Sequence, residues 1–287
     1  MYNKGEFPVS DFGTQVRICF AKEGMEIMSF SKIFGCLTAA FLLFTVGCGG
    51  GGEEAATPEE AAPAAEVEYV KVDPATAGSL SGKVTLDGKA PSNPRINMSA
   101  EPDCGKLHDG PVHAEVAVVG DDGALANVFV WVKDGIEGKF EVPSTPVALD
   151  QKGCVYTPHV VALQSGQVLS VTNSDPTTHN VHPLPRVNRE WNRSQTANAS
   201  AIERKFSRQE IMLPVKCNIH PWMRAYVNVV DHPFFAITGA DGSFEIKGLP
   251  PGTYTIEARH EKFDAQETSV TVGASESKQA DFTFSAG

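Results

Sequence analysis

The chain has no strongly basic run, and its net charge is −11 over 287 residues. Nucleic-acid binding relies on clustered Lys and Arg that displace counterions, so that class is excluded. Long stretches of helical period are scarce, whereas Gly (26) and Pro (19) are plentiful alongside Val and Thr. This balance disfavours a helical bundle and predicts many short strands divided by turns, an all-β chain. Neither a Gly-x-Ser-x-Gly elbow nor a His-Glu-x-x-His helix occurs, so two common hydrolase signatures are missing. Covalent haem is excluded because no Cys-x-x-Cys-His is present. The acidic balance would steer a basic partner electrostatically.

A long membrane-spanning run is missing too. Residues 33–46 are mostly apolar and follow Lys32, but the run is short for a bilayer and reads as the core of an export signal over 1–47. It ends in Phe44-Thr45-Val46-Gly47-Cys48, followed by four glycines. That ending resembles a bacterial lipoprotein cleavage site, with Thr45 where the pattern usually has Leu, and the resemblance implies that Cys48 carries lipid. A plain signal peptide and an uncut anchor are the alternatives. Met28 is a better signal start than Met1, which makes 1–27 an overextended start. The mature protein is expected outside the cytoplasm, in the periplasm or cell envelope, touching the membrane only through its lipid. Residues 48–75 begin with Gly, Glu, Ala and Pro that cannot bury enough apolar surface to offset ordering entropy, and read as a disordered tether.

Cysteines are few, and most have an assignment. Cys19 and Cys36 precede the cleavage point and Cys48 is taken by lipid, leaving Cys104, Cys154 and Cys217. An odd number in an exported chain flags one thiol with other employment. Pairing Cys104 with Cys154 closes a loop of about fifty residues, worth roughly 4 kcal/mol in the chain-entropy model. The other pairing, Cys154 with Cys217, would consume the thiol that the next observations single out.

Residues 217–223 place Cys217, His220 and Met223 within one short loop, and Thr178-His179-Asn180-Val181-His182 lies upstream. Thiolate, imidazole and thioether are soft to borderline ligands, and one more histidine would complete the His₂Cys set with a weak axial Met that suits copper. Alternating runs at 211–216 and 225–230 make the loop a connection between strands. Runs at 79–87, 114–119, 127–133, 147–149, 159–163 and 167–172 read as further strands, with Gly120-Asp121-Asp122-Gly123 as a hairpin turn. Residues 197–207 are the one plausible helical turn, with Asn198 or Ser200 as its cap.

Cys217-Asn-Ile-His220-Pro221-Trp222-Met223 closely resembles the ligand loop of the cupredoxins, of the short-loop amicyanin type. The His179-Asn180-Val181-His182 segment resembles the same family's upstream motif. The resemblance covers residues 111–232 and implies a Greek-key β-sandwich with one type 1 copper held by His179, Cys217, His220 and Met223. His182 in place of His179 is the alternative, and zinc could use the same donors. Asn180 would tie the two loops together near the thiolate, and Pro221 and Trp222 would shield the metal. His220 would form the partly exposed edge through which electrons pass, ringed by Pro221, Trp222, Pro183 and Leu184. The implied partners are a c-type cytochrome or an amine dehydrogenase.

Residues 233–287 resemble carboxypeptidase regulatory-like, transthyretin-like and starch-binding-like β-sandwich modules, through Asp241-Gly242-Ser243-Phe244 and Leu249-Pro250-Pro251-Gly252-Thr253-Tyr254. The segment is short for such a module and lacks its opening strand. Residues 76–110 carry that opening pattern in Ser81-Gly82-Lys83-Val84, so the module is expected to be discontinuous, with the copper domain inserted. Tyr254 and Phe263 are its candidate exposed aromatics for glycans.

The expected function is a one-electron carrier that turns over no substrate. Multicopper oxidase chemistry would need His-x-His pairs that are absent. The rivals are a carbohydrate-binding sandwich with a secondary copper site and a lipoprotein that sequesters or delivers copper. Peptide mapping of the mature chain is expected to start at a lipid-bearing Cys48 and to find no peptide from residues 1–27 in the precursor; an unmodified start elsewhere overturns the anchor.

Overall fold

The computed structural model describes residues 67–286. The export signal, Cys48 and the tether up to residue 66 lie outside the described residues. The chain engages the fold before residue 76, since the Val70 N–H donates to the Lys139 carbonyl at 2.7 Å.

Among the described residues, seventeen strands and one short α-helix follow in chain order, besides a 3-10 turn at Asp121–Gly123. They are β1 (Gly78–Asp87), α1 (Pro102–Gly105), β2 (Phe129–Asp134), β3 (Val147–Lys152), β4 (Val155–Thr157), β5 (Val160–Gln164), β6 (Val168–Asn173), β7 (His179–Pro183), β8 (Arg193–Gln195) and β9 (Ile202–Lys205), then β10 (Glu210–Lys216), β11 (Arg224–Val230), β12 (Phe235–Ile237), β13 (Ser243–Leu249), β14 (Gly252–Arg259), β15 (Gln266–Val272), β16 (Ser277–Gln279) and β17 (Phe282–Ser285). The fold class is all-β.

Two sandwiches share this chain. One packs the sheet β5-β11-β10-β7-β8 against the sheet β4-β3-β6-β9. Its core includes Leu149, Leu163, Leu169, Val171, Val181, Leu213, Val215, Ala225 and Val227. The other packs β12-β2-β14-β15 against β13-β1-β16, with β17 also pairing β1. Phe244 and Ile246 of β13, and Tyr254, Ile256 and Ala258 of β14, alternate inward, as period-two strands with one buried face must.

The second sandwich is assembled from both ends of the described chain. Strand β1 pairs antiparallel with β13 and parallel with β16 and β17. It passes from β16 to β17 at Gly82, where an added Cβ would lie 1.9 Å from the Ala280 carbonyl oxygen, so only glycine fits.

Strand β2 departs from the expected boundary. Residues 127–133 were placed within the copper domain at 111–232, as one arm of a hairpin with 114–119. The turn forms, with the Gly120 N–H on the Ala124 carbonyl at 2.8 Å, but 114–119 contributes only an isolated bridge, Val119 to Leu125. Strand β2 pairs instead with β12 and β14. The reason is burial on both faces. Val130 and Val132 enter the second core, while Phe129 and Trp131 pack with Val230, Ala162, Ile211 and Met212 of the first sandwich. The inserted sandwich that carries Cys217 thus starts after Phe140 rather than at 111. The helical turn expected over 197–207 is strand β9, paired antiparallel with β6. Ile202 and Arg204 alternate half-buried with exposed neighbours there, a period that tertiary pairing imposes over local propensity.

Tyr254 is buried at 3% exposure, and Phe263 packs half-buried with His260 and Phe284. Neither is therefore an exposed stacking platform for a sugar. Among the described residues no helix is long and apolar enough to cross a membrane.

Burial, with the nearby His159 charge adding to it, pushes the His260 pKa down to about 4. Because an unfolded histidine titrates near 6.5, the unfolded chain binds more protons between about pH 4 and 6.5, and stability falls as pH drops through that window. The full effect is on the order of 3 kcal/mol. In urea unfolding of the metal-free protein, His260→Gln is expected to flatten the stability–pH slope in this window; an unchanged slope refutes the assignment.

Candidate metal centre

Strands β7 and β10 pair antiparallel, with Lys216 opposite His182. Their register brings His179, at the start of β7, and Cys217, just past β10, to the same end of one sandwich. The loop from Cys217 to Met223 closes on itself, with the Met223 N–H on the His220 carbonyl at 3.0 Å and the Cys217 N–H on the Met223 carbonyl at 3.3 Å. Two antiparallel strands, β10 and β11, hold its ends.

The donor atoms of His179, Cys217 and His220 all lie within 4.8 Å of one another. His179 Nδ1 is 2.9 Å from His220 Nδ1, and Cys217 Sγ is 3.8 Å from His220 Nδ1. All three side chains are buried, at 2% exposure or less. Met223 is fully buried in the same apolar cluster as Cys217. An ion with bonds of about 2.0 Å to nitrogen and 2.3 Å to sulfur fits three donors so spaced. His182 is elsewhere: its Nδ1 meets Asn218 Oδ1 at 3.1 Å and its Nε2 meets Glu190 Oε1 at 2.6 Å.

Asp175 is the residue that sequence reading missed. Its carboxylate accepts the Gly153 N–H at 2.6 Å, the Cys154 N–H at 2.7 Å and the His179 Nε2–H at 2.8 Å. Gly153 (φ 67) and Cys154 (φ 54) are the two left-handed residues of the β3–β4 turn, a conformation that aims both amides one way. With Nε2 occupied, the Nδ1 of His179 is left to face Cys217 and His220. A carboxylate four residues before a candidate histidine was the available signal, but it needs the fold to be read.

Burial alone would push the His179 pKa down. The hydrogen bonds to Asp175 and Cys217, and their charges, outweigh it and hold the value up to about 8. In the metal-free protein this is a stabilisation present below the ordinary value of 6.5 and lost as pH rises through about 8. Burial likewise works to raise the Cys217 thiol. It is outweighed by His179 and by the backbone amides of His220, Ile219 and Asn180, so the thiol sits below its usual range. A lowered thiol pKa favours the thiolate, the form that binds metal.

Asn180 joins the two ligand segments: its Oδ1 accepts the Asn218 N–H at 3.1 Å, and its amide reaches Asn192. Tyr156 reinforces the junction by donating to the Asn180 carbonyl at 2.7 Å and the Lys216 carbonyl at 3.2 Å. Burial, aided by Cys217, pushes its phenol above the ordinary range, so it remains a donor.

The expectation of an exposed His220 edge is corrected. His220 is 1% exposed. Helix α1 lies over it, with Cys104 Sγ 3.5 Å from His220 Nε2. The helix is fastened by the Cys104–Cys154 disulfide, which the structure contains, leaving Cys217 as a buried free thiol. Trp222 covers another side, its ring 5.3 Å from His220 and its indole N–H on the Cys154 carbonyl at 2.9 Å. Pro221 is exposed, so the shielding expected of it falls to the α1 cap instead.

Asp175→Asn is expected to lower the His179 pKa in the metal-free protein by at least about one unit, because burial then dominates. Histidine NMR titration reads this directly, and a midpoint still near 8 counts against the carboxylate as the cause.

Residues 220–285 match the family model of the carboxypeptidase regulatory-like domain, a match that runs back into the ligand loop. No curated protein matches the chain. Among solved structures, a reduced amicyanin mutant is similar at 23% identity, covering 31% of this chain and 86% of its own, with a TM-score of 0.27. A purple cupredoxin from Nitrosopumilus maritimus is 22% identical over 26% of this chain and 81% of its own, at 0.23. A copper-containing nitrite reductase from Thermus scotoductus is 16% identical over 34% of this chain, at 0.29, and the chain spans only 25% of it. The chain is thus similar to the carboxypeptidase regulatory-like domain in its C-terminal sequence and to amicyanin-type cupredoxins over about a third of its length.

Proposed function

We propose that the protein is a type 1 copper protein that carries single electrons outside the cytoplasm and turns over no substrate. The observation that carries this reading is the convergence of His179, Cys217 and His220 donor atoms within 4.8 Å in a buried, strand-anchored loop. Met223, buried on the same loop, would supply a thioether as a weak further ligand. Copper held there would supply a one-electron couple.

The chain's own contribution is rigidity and dryness. Asp175 fixes the His179 ring, Asn180 locks the two ligand segments, and Tyr156 bridges the strands beneath them. Little then needs to move when the charge changes by one. The covered His220 edge directs the partner elsewhere. A groove lined by Leu184, Pro214, Asn218, Pro221 and Arg224 reaches Cys217, and Ile219 beside it is 41% exposed. A small redox protein, such as a c-type cytochrome or an amine dehydrogenase, would dock on this mixed apolar rim.

The copper-loaded protein is expected to be intensely blue, to bleach reversibly on one-electron reduction, and to lose its colour in Cys217→Ser. Optical and EPR spectra provide the measurement. A colourless wild-type protein with copper bound sinks the type 1 reading and leaves sequestration or delivery.

A further inference from the structure

The Cys104–Cys154 disulfide lies against the metal centre itself. The donor atoms of Cys104, Cys154 and His220 all fall within 4.8 Å of one another, and all three residues are buried. Cys104 Sγ is 3.5 Å from His220 Nε2, while the Nδ1 of the same ring faces Cys217 and His179. One imidazole therefore presents a nitrogen to each of two sulfur groups.

Both cysteines are held by contacts that do not depend on the S–S bond. Cys154 donates its N–H to Asp175 at 2.7 Å and accepts the Trp222 indole at 2.9 Å. Cys104 sits in a wound turn, with its N–H on the Glu101 carbonyl at 3.0 Å and the Leu107 N–H on its own carbonyl at 3.1 Å. Breaking the bond leaves the two backbones where these contacts put them, Cα–Cα 5.6 Å apart, and the sulfurs separate by side-chain rotation.

We propose that the reduced form of this pair is a second soft-metal site, made of the Cys104 and Cys154 thiolates and Nε2 of His220, that takes Cu(I). The site stands on its own three donors; only its sharing of His220 with a copper centre rests on the function proposed above. A dithiol or phosphine reductant supplies two electrons and is itself oxidised. The S–S bond breaks and two protons complete two thiols. Cu(I) then displaces both thiol protons to solvent and gains two thiolates and an imidazole nitrogen, a donor set that suits a soft ion; with an ion already on Nδ1 of His220, the ring's Nε2 proton leaves as well and the ring bridges as an imidazolate. While the disulfide is intact neither sulfur carries the charge to bind metal, so the second site exists only in the reduced chain.

The test is anaerobic Cu(I) titration of the purified protein against bicinchoninate, before and after reduction with tris(carboxyethyl)phosphine and its removal. The intact protein is expected to take one tight equivalent and the reduced protein a second. Reduced Cys104→Ser and Cys154→Ser chains are expected to lose the second equivalent and keep the first, and reduced Cys217→Ser to do the reverse. Equal stoichiometry before and after reduction overturns the proposal. So does a reduced wild-type chain whose far-ultraviolet circular dichroism shows unfolding, since the site needs the folded placement of His220. An intact protein that binds no Cu(I) sinks the copper reading of Cys217, and the equivalent gained on reduction still decides this proposal separately.

Discussion

One carboxylate holds the His179–Cys217 end of this molecule together. Asp175 is 4% exposed and accepts three hydrogen bonds, from two backbone amides of the β3–β4 turn and from the ring of His179. A buried charge is tolerated only when it is fully satisfied, and three donors, two of them backbone, accomplish that. The consequence is structural as well as electrostatic. The turn that Asp175 organises carries Cys154, Cys154 carries α1 through the disulfide, and α1 lies over His220. A single side chain thus fixes one histidine directly and covers the other through three further links.

The two sandwiches are joined by packing rather than by a linker. Trp131 of β2 stacks near His232, and its indole donates to Glu257 at 3.2 Å. His232 in turn meets the Val132 carbonyl at 2.8 Å, and His159 meets Glu261 at 3.1 Å across the same seam. Buried polar pairs such as these give a seam geometric specificity as well as hydrophobic area. The frame of the Cys217–Met223 loop is therefore continuous with the second sandwich through β11, whose outward Val230 is buried in the seam.

What could be read in the sequence was local or compositional. The period-two runs of β10, β11, β13 and β14, the ligand loop and the cysteine parity each lie within a short window or a count. The opening module pattern near residue 81, missing from 233–287, pointed to a discontinuous sandwich, and β1 pairs with strands about 160 to 200 residues away. What could not be read required knowing which surface faces which. Strand β2 is apolar on both faces, and a doubly apolar strand gives no sign of its partner. His220 lies on a loop, which suggests exposure, yet a four-residue helix more than a hundred residues upstream buries it. Asp175 is one acid among many until the β3–β4 turn places two amides beside it.

Phe140 and Phe234 meet edge to face, with ring centroids 5.2 Å apart, at the two points where the chain leaves and rejoins the second sandwich. The sandwich inserted between them is therefore a closed circle: its beginning and its end are pinned by the second sandwich. When such an insert unfolds, its ends stay together, and the freedom it gains is that of a ring instead of an open chain. Opening of the disulfide then meets a domain whose unfolded state is already confined. The host sandwich acts as a clasp that keeps the insert close to its folded form.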